Sequence, residues 1–400
     1  MATDLKETAL AVEPSAVLGL FAARPRLLAL GEPTHGEDAL LDVRNELFRR
    51  LVEEEGYRTV AMETDCLKGL IVDDYVTTGT GTLDEAMEHG FSHGWGASPA
   101  NRDLVRWMRA HNAKRPAPEA VRFAGIDGPL ETEGAASPRQ ALTALHDHLA
   151  AHMDAELLPC TRDTLDRLLG DDDRWTDPAV MWDASLSVGR SDDAARLRLL
   201  ADDLAALLET QAPHLAAAVP PGDRERVALY ARSAVGLLRY HAAMADTSPA
   251  RLSRLLGVRD QIMAHNLLAV ADRGPALVHA HNSHLQRERS TTRMNGAPLH
   301  WWSAGALVST RLGADYGFVA TALGTLRHRG VDAPPPDSLE GLLSQLPGDR
   351  CLLDAPRLAA ALGPATPAPR PSPWFGYAPL DPAHLPAIDG IVFLRDVPRR

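Results

Sequence analysis

The segment Arg26 to Gly36 reads RLLALGEPTHG, and no other stretch constrains the fold as much. A short apolar run, Leu27-Leu28-Ala29-Leu30, ends in a glycine that opens onto Glu32 and His35. That is the pattern of a strand with a carboxylate and an imidazole at its carboxyl end, where α/β proteins keep their chemistry. Leu40, Leu41, Leu47, Phe48, Leu51 and Val52 then recur at helical spacing through Glu55, with Gly56 as a stop. Further strands are expected at Thr59 to Glu63, Val121 to Ile126 and Ala276 to Ala280. Alternation of strands with helices implies a parallel sheet. The apolar runs Tyr316 to Leu323 and Ile388 to Leu394 complete the sheet from the carboxyl-terminal third.

Between about Ser137 and Asp272 the pattern is almost wholly helical, with stretches such as Ala194 to Thr210 and Arg224 to Met244 broken by Asp-rich or Pro-Pro-Gly loops. The expectation is a three-layer α/β/α fold with a mainly parallel sheet and a large inserted helical subdomain. Residues 1–136 form the first part of the α/β core, 137–272 the helical subdomain and 273–400 the second part. Gly363 to Pro382, rich in Pro and Ala and holding Trp374, Phe375 and Tyr377, reads as an extended segment or linker packed on the surface.

The 400-residue chain is 45% hydrophobic and 24% charged, ordinary for a globular enzyme. No segment approaches the roughly 18 consecutive apolar residues of a membrane span. Met1 to Glu7 carries acids where a secretory signal carries a basic region, so a cytoplasmic protein is expected. The net charge of -12 disfavours nucleic acid as a partner and leaves a small molecule. Cys66, Cys160 and Cys351 lie far apart without C-x-x-C spacing and read as buried, reduced fillers. No nucleotide-binding motif is present, so no cofactor is expected. The oligomeric state is open between monomer and homodimer.

Four clusters carry the chemistry. Glu32 and His35 with Arg44 supply a general base held in one tautomer; the alternative is that His35 caps the helix and Glu32 pairs with Arg44. Glu63 ends the next strand, where it orients His35, grips a substrate, or merely caps the next helix or binds Arg44. His279, His281, Asn282 and His284 gather at the end of a buried strand, with His279 the one best explained as plain structure. With Glu32 or Glu63 these histidines would also suit zinc, manganese or iron, although nothing in the spacing requires a metal. Arg259, Met263 and Asn266 lie at about 0, 40 and 340 degrees around a helix and share one face. Gly90-Phe91-Ser92-His93-Gly94 matches a nucleophile elbow, but the residues before it are polar and helix-like, so with Trp95 it reads as a pocket-lining loop.

The segments LGEPTHG with Arg44, VAMETD, FAGID with Asp127, RDQIMAHN, HAHNSH, GALVSTRLGADYGFVAT and IDGIVF together resemble the erythromycin esterase family over residues 26 to 394. Pro33 stands where that family more often has a small residue, and His265 where the helix motif usually has Glu. The resemblance implies hydrolysis of a macrolide lactone without a metal, as in a resistance esterase. His35 would be the base for water and Glu32 its orienter. Arg44, His281 and His284 would bind the carbonyl or shuttle protons, and Glu63 and Arg259 would be further pocket residues. Trp95, Asn266 and Asn282 complete the expected substrate contacts. Loops and inserted helices set a pocket's specificity, so the same site also fits a lyase or cyclase of natural-product biosynthesis, or a protein that binds without turnover.

Overall fold

The structure is a computed structural model that describes residues 9–131, 134–294, 297–363, 366–374 and 376–399. The amino-terminal reading on Met1 to Glu7, and Phe375, lie outside the described residues. Among those described, the strands are β1 (Leu27–Glu32), β2 (Thr59–Asp65), β3 (Arg122–Asp127), β4 (Leu130–Glu131), β5 (Gly134–Ala135), β6 (Ala276–His281), β7 (Arg289–Met294), β8 (Ala297–Trp302), β9 (Tyr316–Thr325), β10 (Arg350–Asp354) and β11 (Gly390–Asp396). Seven of them form one sheet in the order β10-β11-β9-β1-β6-β2-β3. β1–β6, β1–β9, β2–β6 and β9–β11 pair in parallel, and only β10, on β11, is known to run the other way. This is the expected α/β fold. Every residue of β1, β2 and β9 is buried, as strands covered on both faces require.

The helix Asp38–Glu55 buries Leu40, Leu41, Leu47, Phe48, Leu51 and Val52, the stripe read from sequence. It ends at Gly56, whose φ of 71° lies in the left-handed region that a glycine adopts without strain. These side chains pack with Leu28, Leu30, Val60 and Met62 of the sheet and with Leu104, Val105 and Met108 of the helix Pro99–Asn112.

The chain divides into two compact units. The first holds Met1–Glu63, Gly69–Gly125 and Leu267–Arg400; the second holds Thr64–Lys68 and Ile126–Asn266. The second unit therefore starts before the expected residue 137. The β4–β5 pair lies in it, the Cys66 amide donates to the Asp127 carbonyl at 2.9 Å, and Asp127 ion-pairs Arg259 at 2.7 Å. It stops before residue 272 because the last turn of the helix Arg251–Ala271 is tied elsewhere, with Arg26 donating to the Ala271 carbonyl. The long helices Asp192–Thr210 and Pro221–Met244 belong to this unit. Among the described residues, no helix is long and apolar enough to cross a membrane.

Two expectations need correction. The Pro-rich stretch is not a surface linker: Arg370 and Tyr377 are buried, Arg370 donates to the carbonyls of Leu323, Gly324 and Asp332, and the Ala378 amide donates to the Pro33 carbonyl. Strand β10, only five residues long, carries too little periodicity to be read from sequence. Of the cysteines, all unpaired, Cys160 is only part-buried. The G-x-S-x-G match follows the helix Leu83–His89 rather than a strand, so it lacks the context a nucleophile elbow needs.

At the end of β1 a glycine is required for a close approach. A Cβ on Gly31 would stand 2.1 Å from Oδ1 of Asn282. The Asn282 amide donates to the Thr321 carbonyl at 2.8 Å, and its Oδ1 accepts from the Thr321 amide at 3.2 Å. It thus continues the ladder beyond Leu30, where β1 stops pairing with β9. Gly31→Ala is therefore expected to lower stability by about 1–3 kcal/mol, the usual cost of overpacking. Urea unfolding checks this, and an unchanged midpoint would contradict it.

Candidate active site

The carboxyl ends of β1, β6 and β2 form one rim. In the register, Leu30 lies opposite His279 and Glu32 opposite His281, while Met62 faces His279 from the other side. β1 leads on to β2, beyond β6, whereas β6 leads back to β9, beyond β1. Adjacent parallel strands whose connections leave in opposite directions mark the position where α/β sheets open a crevice.

Glu32 is fully buried at this rim. Its Oε1 lies 2.6 Å from Nδ1 of His35, and its Oε2 lies 3.3 Å from Nε2 of His279. Burial alone would raise the Glu32 carboxyl, but the charge and hydrogen bonds of His279 and His35 outweigh it and bring the pKa down to about 2. Glu32 is therefore an anion at neutral pH. An anion accepts only, so His35 donates from Nδ1 and keeps its lone pair on Nε2. The His35 side chain is 45% exposed. Nε2 stands 3.6 Å from Oε1 of Glu63, beyond hydrogen-bond length.

Glu63 links the other two histidines. Its Oε2 accepts the His281 amide at 2.8 Å, and its Oε1 lies 3.4 Å from Nε2 of His284. The His281 ring is committed at both nitrogens. Nε2 donates to the Pro33 carbonyl at 3.1 Å, and Nδ1 accepts from the Ser283 amide as the cap of the short helix Asn282–Leu285. Burial pushes the His281 pKa down to about 4, with His35 acting in the same direction, so the ring is neutral. Trp95 closes another side, edge-on to His35 with ring centroids 5.3 Å apart.

Arg44 lies deeper than a substrate contact would. It is fully buried, and its guanidinium donates to Oδ1 of Asn45 and of Asn101 and approaches Sδ of Met62. Burial lowers its pKa to about 10, opposed by the Glu32 charge, so it stays a cation at neutral pH. Asn101 in turn donates to the Trp95 carbonyl at 3.0 Å, so Arg44 braces the turn that carries Trp95. The pairing of Glu32 with Arg44, one alternative from sequence, does not form as a contact ion pair; Arg44 meets Asn side chains instead. Asn282 is spent on Thr321.

Arg259 and Asn266 belong to the second unit. There Arg259 grips both oxygens of Asp127, and Asn266 accepts from Arg232 and donates to the Ile126 carbonyl. Among the described residues no group of three or more His, Cys, Asp or Glu is arranged to hold a metal ion. Sequence reasoning set His279 aside as structure and did not find Asn101. The signal for His279 was present in strand alternation, which puts it on the His281 face.

The His281 geometry has a consequence for stability. The folded chain takes up this proton only near pH 4, against 6.5 for an unperturbed ring. Between those values the unfolded state binds more protons, so stability falls as pH drops through the window. In His281→Asn, which keeps a capping side chain, the fall is expected to be shallower by up to about 1.4 kcal/mol per pH unit. Unfolding midpoints measured from pH 6.5 to 4 check this, and parallel curves for the two proteins would contradict it.

Three solved structures share the fold. A Bacillus cereus protein is 19% identical, with 99% of this chain and 97% of that one covered at a TM-score of 0.74. A succinoglycan biosynthesis protein is 17% identical, covering 99% and 96% at 0.72. An erythromycin esterase mutant in its open conformation is 17% identical, covering 95% and 92% at 0.65. At these identities the likeness concerns the fold. The model of the family described as erythromycin esterase matches residues 52–397, which is most of the chain, and the protein therefore belongs to the erythromycin esterase family.

Proposed function

We propose that this protein is an erythromycin esterase-like hydrolase in which His35 activates a water molecule against the carbonyl of an ester or macrolactone of a natural product. The observation that carries this reading is the 2.6 Å contact of Glu32 with Nδ1 of a half-exposed His35. It fixes the tautomer with a basic Nε2 directed away from the buried carboxylate.

In the proposed step a water gives a proton to Nε2 while its oxygen bonds the carbonyl carbon. The tetrahedral intermediate then collapses, the carbon–oxygen bond of the leaving group breaks, and the proton on His35 passes to the departing alkoxide. Glu32 holds the imidazolium formed in between, as a carboxylate behind a histidine does. Glu63, beside Nε2, accepts from the attacking water, and His284, beside Glu63, binds the carbonyl. His281 braces the loop through the Pro33 carbonyl, and Trp95 supplies an apolar wall for the substrate. No cofactor enters the step.

The test is incubation of the purified protein with a panel of 14-membered macrolides and simpler esters in ¹⁸O-labelled water, read by mass spectrometry. A ring-opened or cleaved acid carrying one label is expected, and His35→Ala should slow its formation by about 10²- to 10⁴-fold. Product without label would point to the elimination or cyclisation chemistry of the alternative reading. A near-normal rate in His35→Ala would remove His35 as the base.

A further inference from the structure

The geometry points to His279 as a positioning residue of this site, sharing a buried proton with Glu32 and thereby setting the basicity of His35. The inference rests on the reading of His35 as the base and extends it one residue deeper. His279 is buried, and its Nδ1 lies 3.0 Å from the Leu30 carbonyl. A carbonyl only accepts, so Nδ1 carries a proton. The other nitrogen, Nε2, faces Oε2 of Glu32 at 3.3 Å, and neither atom has a hydrogen-bond partner elsewhere. With a neutral imidazole and an ionised carboxylate, two lone pairs would meet in a dry site, leaving two buried polar atoms unsatisfied at about 1–3 kcal/mol each. One proton between Nε2 and Oε2 removes both penalties. The result is a chain from the Leu30 carbonyl through His279 and Glu32 to His35.

The charges around this chain are few. Arg44 on the helix Asp38–Glu55 acts on Glu32 through its field. His35 faces Oε1 from the loop after β1. Glu63 on β2, His284 and the neutral His281 stand on the far side of His35. Of these, only the His279 proton disappears when His279 is replaced by a neutral donor. The Glu32 charge is then balanced more heavily by His35, which favours its imidazolium form.

The experiment is ¹⁵N NMR of the imidazoles in the unaltered protein and in His279→Gln, whose amide can still donate to Oε2. The His35 titration midpoint is expected to rise by about one pH unit in the variant. The acid limb of kcat/KM should rise with it. A folded His279→Gln with an unmoved His35 midpoint overturns the inference. If the variant does not fold, the unaltered protein decides. Both His279 nitrogens protonated at pH 7 beside an ionised Glu32, read by ¹³C shift, supports the shared proton, and a protonated Glu32 overturns it. A neutral His279 beside an ionised Glu32 overturns it. Because the NMR readout needs no substrate, a shifted midpoint without turnover of any ester would sink the hydrolase reading while leaving this one standing.

Discussion

A carboxylate fully removed from water is the interaction on which the rest of the site depends. Leaving Glu32 buried and uncompensated would cost several kcal/mol, so the fold has to bring it partners. They come from both directions along the sheet end: His35 from the loop that follows, His279 from the neighbouring strand, and the field of Arg44 from the helix packed beneath. Because the two imidazoles lie on opposite oxygens, Glu32 is both oriented and charged, and His35 inherits a single tautomer. The exposed base and the buried acid are one unit seen from two sides.

The loop carrying His35 is fixed as firmly as the carboxylate. The Pro33 carbonyl accepts from His281 Nε2 and from the Ala378 amide, so a strand-end histidine and the carboxyl-terminal segment hold the same atom. Four residues on, Glu37 is buried and pairs with His328 and Arg329. Arg370 anchors the Pro-rich segment to the end of β9, and Arg329 lies over the Trp374 ring. A base held on short contacts at both flanks can keep the orientation that proton transfer demands without relying on the substrate to organise it.

Much of this was legible in the sequence because the informative patterns are local. The apolar run before Gly31, the helical stripe from Leu40 to Val52 and the histidines at the end of β6 each signal within a dozen residues. Partnerships between distant segments were not legible. His279 looked structural because its role depends on β6 lying between β1 and β2, which sets it opposite Leu30 and within reach of Glu32. Arg44 looked like a substrate ligand because nothing nearby announces Asn101, 57 residues further on, as its acceptor. Asn282 read as a pocket donor, yet it completes the ladder to Thr321 through a space that Gly31 leaves open. Proline content suggested a linker, whereas the buried cation Arg370 is what fastens that segment down.

The central claim is that the charge on Glu32 makes His35 a base. Its most direct test is the rate of labelled-water hydrolysis in Glu32→Gln, a substitution that preserves shape and keeps one acceptor oxygen for His35 while removing the charge. The account predicts a folded protein whose hydrolysis is about 10²- to 10⁴-fold slower with the same product. A rate within threefold of the unaltered protein, roughly 0.7 kcal/mol in barrier, would contradict it.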